Sequence, residues 1–268
     1  TTPGTRSIAT RSDYELPNYQ TIPDDATEVT GSAHKDWFQE GKSYKITGDY
    51  SGGIYHSGRN ACALYISGTW TPPASDGKNW KSVFNRGLKV VIMPGGKIVS
   101  QSKLEFNGTA ALEIMPGGTL ECKELYLTNT GYSSNQGTLT VSDNFKFNAK
   151  TNFYNTGTIT IGKLFECTNN CTLTNKGYVK TQNLKMTSAA NVINECTINI
   201  EKALTCNSAN SSFTLNKGTI IAATMEFNNT KIQLNNGSML KATEKILNIW
   251  DNKYTNSGGD QSLVKSPL

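Results

Sequence analysis

Side chains able to do chemistry are few in this chain of 268 residues. Its two histidines, His34 and His56, both precede the regular part of the sequence, and with Asp36 and Asp49 they mark the one patch where acid–base work would be sought. No nucleophile motif flanks either histidine, so a Ser/His triad or a His-ligated metal on the later residues is excluded by absence. Carboxylates are also sparse: Asp143 is the one aspartate between Gly87 and Trp250, and the nearest glutamate pairs are Glu121 with Glu124 and Glu195 with Glu201. Glycoside cleavage needs two carboxylates at a controlled separation, and a calcium site needs several converging oxygens. The periodicity of the chain aligns neither pair, so the expectation is a non-enzyme with no cofactor and no metal.

Six cysteines contain no Cys-x-x-Cys pair, which argues against a zinc or redox motif. Cys122, Cys167 and Cys206 fall on inward strand positions, where a thiol acts as a small apolar filler. Cys167 and Cys206 lie two repeats apart, about 10 Å, beyond the roughly 7 Å that a disulfide tolerates. Aromatic rings offer binding chemistry instead. Trp70 and Trp80 flank the turn WTPPASDGKNW, and with Tyr126 and Tyr178 they are the candidates for stacking against a sugar. The competing reading places the tryptophans in an aromatic-rich cap over the first turn of the repeats. Tyr126, Tyr154, Phe165 and Tyr178 belong to different faces of successive repeats and make no groove.

What must position these residues is an internal repeat. Asn135, Asn155, Asn175, Asn194, Asn216 and Asn235 stand 20, 20, 19, 22 and 19 residues apart. Nearly every one precedes a glycine by two residues (Gly137, Gly157, Gly177, Gly218, Gly237), with Cys196 in that place once. Upstream, LKVVIMPGGKIV and ALEIMPGGTLEC share a Met-Pro-Gly-Gly turn at a spacing of 22 residues. Each repeat reads as three short strands with period-two alternation, as in Leu139 and Val141 between Thr138 and Thr140. One such rung cannot bury its own inward face; stacking puts Leu139, Ile159, Val179, Ile198 and Ile220 above one another. The asparagines stack at a corner as a structural ladder of side-chain amides, and the glycine supplies the turn's unusual backbone angles.

The fold expected is all-β: a single-stranded parallel β-helix, or solenoid, of about 7–8 rungs of about 20 residues each, with an N-terminal cap. Residues 1–33 read as a polar leader, 34–86 as the cap, 87–250 as the repeats and 251–268 as a tail. Ile246, Leu247, Ile249 and Trp250 are placed to close the far end. Three strands per turn, an apolar inward column and an Asn-x-Gly corner resemble the right-handed parallel β-helix of the pectin-lyase-like superfold. The phrases PGGKIV, PGGTLE, NQGTLTV and NTGTITI are similar to repeat regions of secreted Bacteroidetes surface proteins, including those with LruC domains. That resemblance implies a secreted or cell-surface protein.

Composition narrows the partners. A net charge of +5, with lysines scattered singly, argues against nucleic acid. No run approaches the roughly 20 apolar residues of a membrane span. The Thr-x-Thr pairs at 138/140 and 158/160 hint at ice binding, but Tyr178, Lys180, Asn199 and Ile221 interrupt the array. The polar start at Thr1 reads as a processed terminus, compatible with a lipid anchor upstream. The function expected is a non-catalytic adhesin-like or spacer module. Its partners would be surface glycans or another cell-surface protein, and a further domain would follow the repeats. The alternative is a carbohydrate-binding or carbohydrate-active β-helix.

Overall fold

A computed structural model describes residues 20–31, 33–35, 38–56, 61–74, 82–129, 132–208, 210–235, 237–248, 254–256 and 263–265. Among them there is no helix, and every ladder is parallel: a 12-stranded sheet, a 13-stranded sheet and one two-stranded pair. The first, called here the short sheet, collects one four- or five-residue strand from most turns, such as Asn152–Asn155. The second, the long sheet, takes the next ten or so residues, such as Thr158–Cys167, and bends where its register shifts between Ile161 and Leu164. The bend divides each long strand in two, so a turn has the three runs that alternation predicts.

Alternation is visible in the burial. Ile159, Ile161, Phe165 and Cys167 point into the core while Thr158, Gly162 and Lys163 are exposed. The predicted column Leu139, Ile159, Val179, Ile198 and Ile220 pairs in register and is fully buried. Phe145 stacks on Phe165 with centroids 5.2 Å apart and planes 5° from parallel, and Phe147 and Phe153 fill the space beside them. Each rung hides its neighbour's apolar face, which is how a thin structure acquires a core.

The solenoid has about ten turns, more than the 7–8 expected. The additional turns come from residues before Gly87, whose irregular spacing hid them. Ser43–Ile46 pairs with Cys62–Ile66, which pairs with Leu88–Ile92, and Thr69–Trp70 pairs with Lys97 and Ile98. Both sheets therefore run unbroken across residue 86. Outside the short sheet, Ile22 packs on a small apolar patch of Tyr65, Val91, Met93 and Met115. At the far end Ile246 packs on the core and Leu247 is exposed, while Ile249 and Trp250 lie outside the described residues.

Of the corner glycines, Gly237 has the positive φ expected, 74°, whereas Gly137, Gly157 and Gly177 are needed for space. A Cβ on Gly137, Gly157 or Gly177 would sit 2.2, 2.1 or 2.2 Å from the carbonyl oxygen of the glycine one turn back. Positive φ also marks the first glycine of each Met-Pro-Gly-Gly turn, Gly95 at 78° and Gly117 at 80°. The third corner uses non-glycine residues with positive φ in pairs, Ala149–Lys150, Asn169–Asn170 and Ser188–Ala189. Hydrogen bonds from Lys150 N–H to Asn169 O and from Asn170 N–H to Ser188 O, each 2.9 Å, tie these strained corners together.

Candidate functional site

The asparagines build a ladder, shorter than the sequence suggests. Asn135 Nδ2 donates to Asn155 Oδ1 at 2.8 Å, Asn155 to Asn175 at 2.7 Å and Asn175 to Asn194 at 2.8 Å. All four are fully buried. There the column stops, because Asn194 pairs with Leu215 and not with Asn216. Asn194 Nδ2 turns to the carbonyls of Cys196 and Thr219. Asn216 and Asn235 form a separate, half-buried pair one residue further along, and Ser238 Oγ donates to Leu215 O at 2.7 Å in the ladder's place. At its other end Asn135 Oδ1 is buried without a hydrogen-bond partner, against a turn whose corresponding residue is Ile114.

Among the described residues the sugar-stacking candidates Trp70, Tyr126 and Tyr178 do not converge. Trp70 is fully buried, donates Nε1–H to Gly52 O at 2.9 Å and meets Phe84 edge-on at 5.9 Å, so it offers no face to a ligand. Its neighbour in strand, Thr69, takes the outward position and Trp70 the inward one, stacked between Tyr50 and Ile98. Trp80 lies outside the described residues. Tyr126 is half-buried beneath Lys103 Nζ, 4.7 Å from the ring centroid, and its hydroxyl reaches Glu124 Oε1 at 3.5 Å. Burial, then the Glu124 charge, pushes that phenol up. Tyr178 is 37% exposed, but on the other limb of the long sheet and three turns away. Phe165 is core, and Tyr154 packs against the short sheet's outer side near Lys176.

Two members of the acid–base patch are described in full. Asp36 and the side chain of His34 lie outside the described residues, and Asp49 is exposed. His56 is buried, with Nε2 3.9 Å from Cys62 Sγ. Desolvation pushes that thiol up to about 11, so at neutral pH it is protonated and a poor nucleophile. All six cysteines are unpaired; Met186 stands between Cys167 and Cys206, and burial pushes both thiols up.

What the sequence reading missed is the charge pattern of the outer faces. Among the described residues eight ion pairs occur, and in all but Lys103–Glu105 the partners lie on neighbouring turns. Glu166 holds both Lys146 at 3.2 Å and Lys185 at 3.7 Å. Lys97 meets Glu121 at 2.8 Å, Lys163 meets Asp143 at 2.9 Å and Lys180 meets Glu201 at 2.8 Å. Glu124 accepts from Asn144 Nδ2 at 3.0 Å. The carboxylates singled out within the repeats, Asp143, Glu121, Glu124, Glu195 and Glu201, are thus occupied as rung-to-rung links. Among the described residues no three of His, Cys, Asp and Glu converge as a metal site would require.

One surface feature remains. Where the long sheet bends, a groove of about 460 Å3 opens between Gln101, Glu121, Lys123, Thr140 and Ser142. Ser100 Oγ holds the bend by hydrogen bonding with the N–H and carbonyl of Ser102, both at 3.2 Å. Cys122 forms part of the floor, its thiol pushed up by burial and by Glu124. Hydroxyls, an amide, a lysine and a paired carboxylate line this groove, a mixture suited to hydrogen-bonding a polar ligand. The fold and its faces define a parallel β-solenoid. No family model, curated protein or solved structure matches the chain.

Proposed function

We propose that this protein is a non-catalytic rod, an adhesin-like or spacer module of a secreted or surface-attached protein. The observation that carries the reading is continuity: two parallel sheets pass without interruption through about ten turns. At roughly 4.8 Å per turn that is a rod about 50 Å long. Its interior is tied by the amide ladder and its exterior by ion pairs between turns, so each surface group is held at a fixed height. Likeness of the PGGKIV and NTGTITI phrases to repeats of secreted Bacteroidetes surface proteins, and of the whole pattern to the pectin-lyase-like superfold, supports the surface location.

The groove at Glu121 and Lys123 favours a second reading, in which the rod binds a carbohydrate. Both readings are tested by applying the chain to host and plant polysaccharides and recording bound protein and released sugar together. No released sugar is expected. Binding that Lys123→Ala weakens would select the carbohydrate-binding reading, and absence of binding the spacer. Released sugar that scales with protein concentration would overturn both.

A further inference from the structure

The chain takes five steps from Glu28 to Ala33 but eight from Lys45 to Gly53, their partners in the next turn. The first turn is therefore three residues short. Among the described residues it has no counterpart of Asp49–Tyr50, the strand at which the long sheet ends. A slot of about 360 Å3 lies at that place, between the first turn's own run from Glu28 to Gly31 and the Ile46, Asp49, Tyr50 and Ser51 side of the next turn.

The slot has the character of a vacant strand position. Thr69 N–H and Thr71 N–H donate to the carbonyls of Gly48 and Tyr50 at 3.0 and 2.8 Å, on the side of the next turn. Alternation along a parallel strand then turns the N–H and C=O groups of Asp49 and Ser51 the other way, into the slot. Its floor is apolar, made by the buried Val29, Ile46 and Tyr50. Its rim is acidic: Asp49 is exposed, and the Glu28 carboxylate accepts from Thr47 N–H at 2.8 Å and Thr47 Oγ1 at 3.0 Å, with no ion pair to it among the described residues. In filled turns the same place is taken by an outward–inward–outward triplet, Thr138–Leu139–Thr140, Thr158–Ile159–Thr160 or Tyr178–Val179–Lys180.

We propose that the slot is a strand-acceptor site for an extended segment of a partner polypeptide, an apolar residue flanked by lysine or arginine, which completes the first turn. Edge strands take up such segments through backbone hydrogen bonds, with alternate side chains giving selectivity. The central residue would donate its N–H to Asp49 O, accept from Ser51 N–H and rest on Tyr50, while its neighbours face the carboxylates. A second copy stacked end to end does not serve. Its last turn brings one strand to each sheet, Tyr254–Asn256 and Leu263–Lys265, whereas the first turn here already supplies the short sheet's strand, Thr27–Glu28. The long sheet would remain one strand short.

The test is fluorescence anisotropy of labelled Ac-Thr-Lys-Val-Lys-Thr-NH2 titrated with the whole chain. Saturable binding is expected. Methylating the valine nitrogen, or replacing the valine with lysine, should weaken it about tenfold or more, since each removes one of the two determinants. Asp49→Lys, an exposed change that leaves folding intact, should weaken it roughly fivefold, the scale of an exposed ion pair. Equal binding of the N-methylated peptide would reduce the effect to charge attraction and overturn the strand site. No saturable binding at millimolar peptide would overturn it as well, and self-association of the chain that the peptide displaces would overturn the partner assigned.

Discussion

The corner after Ala111–Ile114 and the corner after Asn152–Asn155 turn the chain by different means. The first is a Met-Pro-Gly-Gly turn in which Gly118 N–H closes on Met115 O at 2.8 Å, with proline fixing one φ and Gly117 at 80° supplying the next. It closes on itself, and Gly95 N–H also donates to Gly117 O at 3.1 Å across the turns. The second has a single residue, Thr156, between Asn155 and Gly157, and Asn155 Nδ2 bonds upward to Asn175 Oδ1. A short corner does not itself demand asparagine, because Ile46 and Ile66 stand two residues before Gly48 and Gly68 in the same column. That column reads Ile46, Ile66, Ile92, Ile114, four asparagines, Leu215 and Leu234, all buried, and then Asn256 in the last turn. A buried amide between two isoleucines would lack a side-chain partner, whereas in a run of four only the end oxygen, Asn135 Oδ1, is left without one. The comparison teaches that the four central asparagines are kept by one another.

The largest way to break the comparison is at the glycines. Gly157→Ala puts a methyl 2.1 Å from the backbone of Gly137, which only separation of two turns can relieve. A loss of about 3 kcal/mol or more, or failure to fold, is expected. Gly95→Ala in the Met-Pro-Gly-Gly corner has nothing within 4 Å and suffers only from its φ of +78°. There the cost should be about 1–2 kcal/mol. Denaturant unfolding of the two variants measures both, and equal losses would mean that rung-to-rung approach does not set the glycine column.

The ladder gives the next effect in size. Asn155→Leu deprives Asn135 and Asn175 of their partner and should cost about 1–3 kcal/mol. Replacing Asn135, Asn155, Asn175 and Asn194 together with leucine makes the column apolar from Ile46 to Leu234. The fourfold variant should be more stable than the single one, because no buried amide is stranded. If the four substitutions lose four times as much, each asparagine acts alone through its backbone contacts, such as that of Asn135 Nδ2 with Thr158 O at 3.2 Å, and the cooperative account fails.

Much of this was legible from spacing. Alternation placed the core column from Leu139 to Ile220 correctly because burial on one side of a strand permits no one-residue slip. The same rule exposes the misreading of the ladder. Alignment on Asn-x-Gly put Asn216 in the column, but the alternation of Phe213 and Leu215 fixes the register, and the single spacing of 22 was its trace. Trp70 was read from the loop that follows it, although its partner Thr69 already marked it as inward. The ion pairs were hidden because residues such as Lys146 and Glu166 look isolated until a turn of about twenty residues is wound. The slot at Asp49 was not legible at all, since it arises from residues that the first turn lacks.

The smallest effect concerns those surface charges, and it asks whether the two kinds of turn differ outside as well as inside. Glu166→Gln leaves Lys146 and Lys185 facing one another across a turn without the carboxylate they share. Exposed pairs contribute little, so stability should fall by under about 1 kcal/mol. Glu121→Gln, beside the Met-Pro-Gly-Gly turns, releases only Lys97 and should do less. The difference should shrink as salt is raised, since the Debye length falls to about 3 Å at 1 M. A larger loss for Glu121→Gln would mean that the turns with self-contained corners lean on their surface charges to stay in register. A larger loss for Glu166→Gln in low salt, vanishing in high salt, would instead assign register to the interior in both regions and leave the charges as a minor supplement.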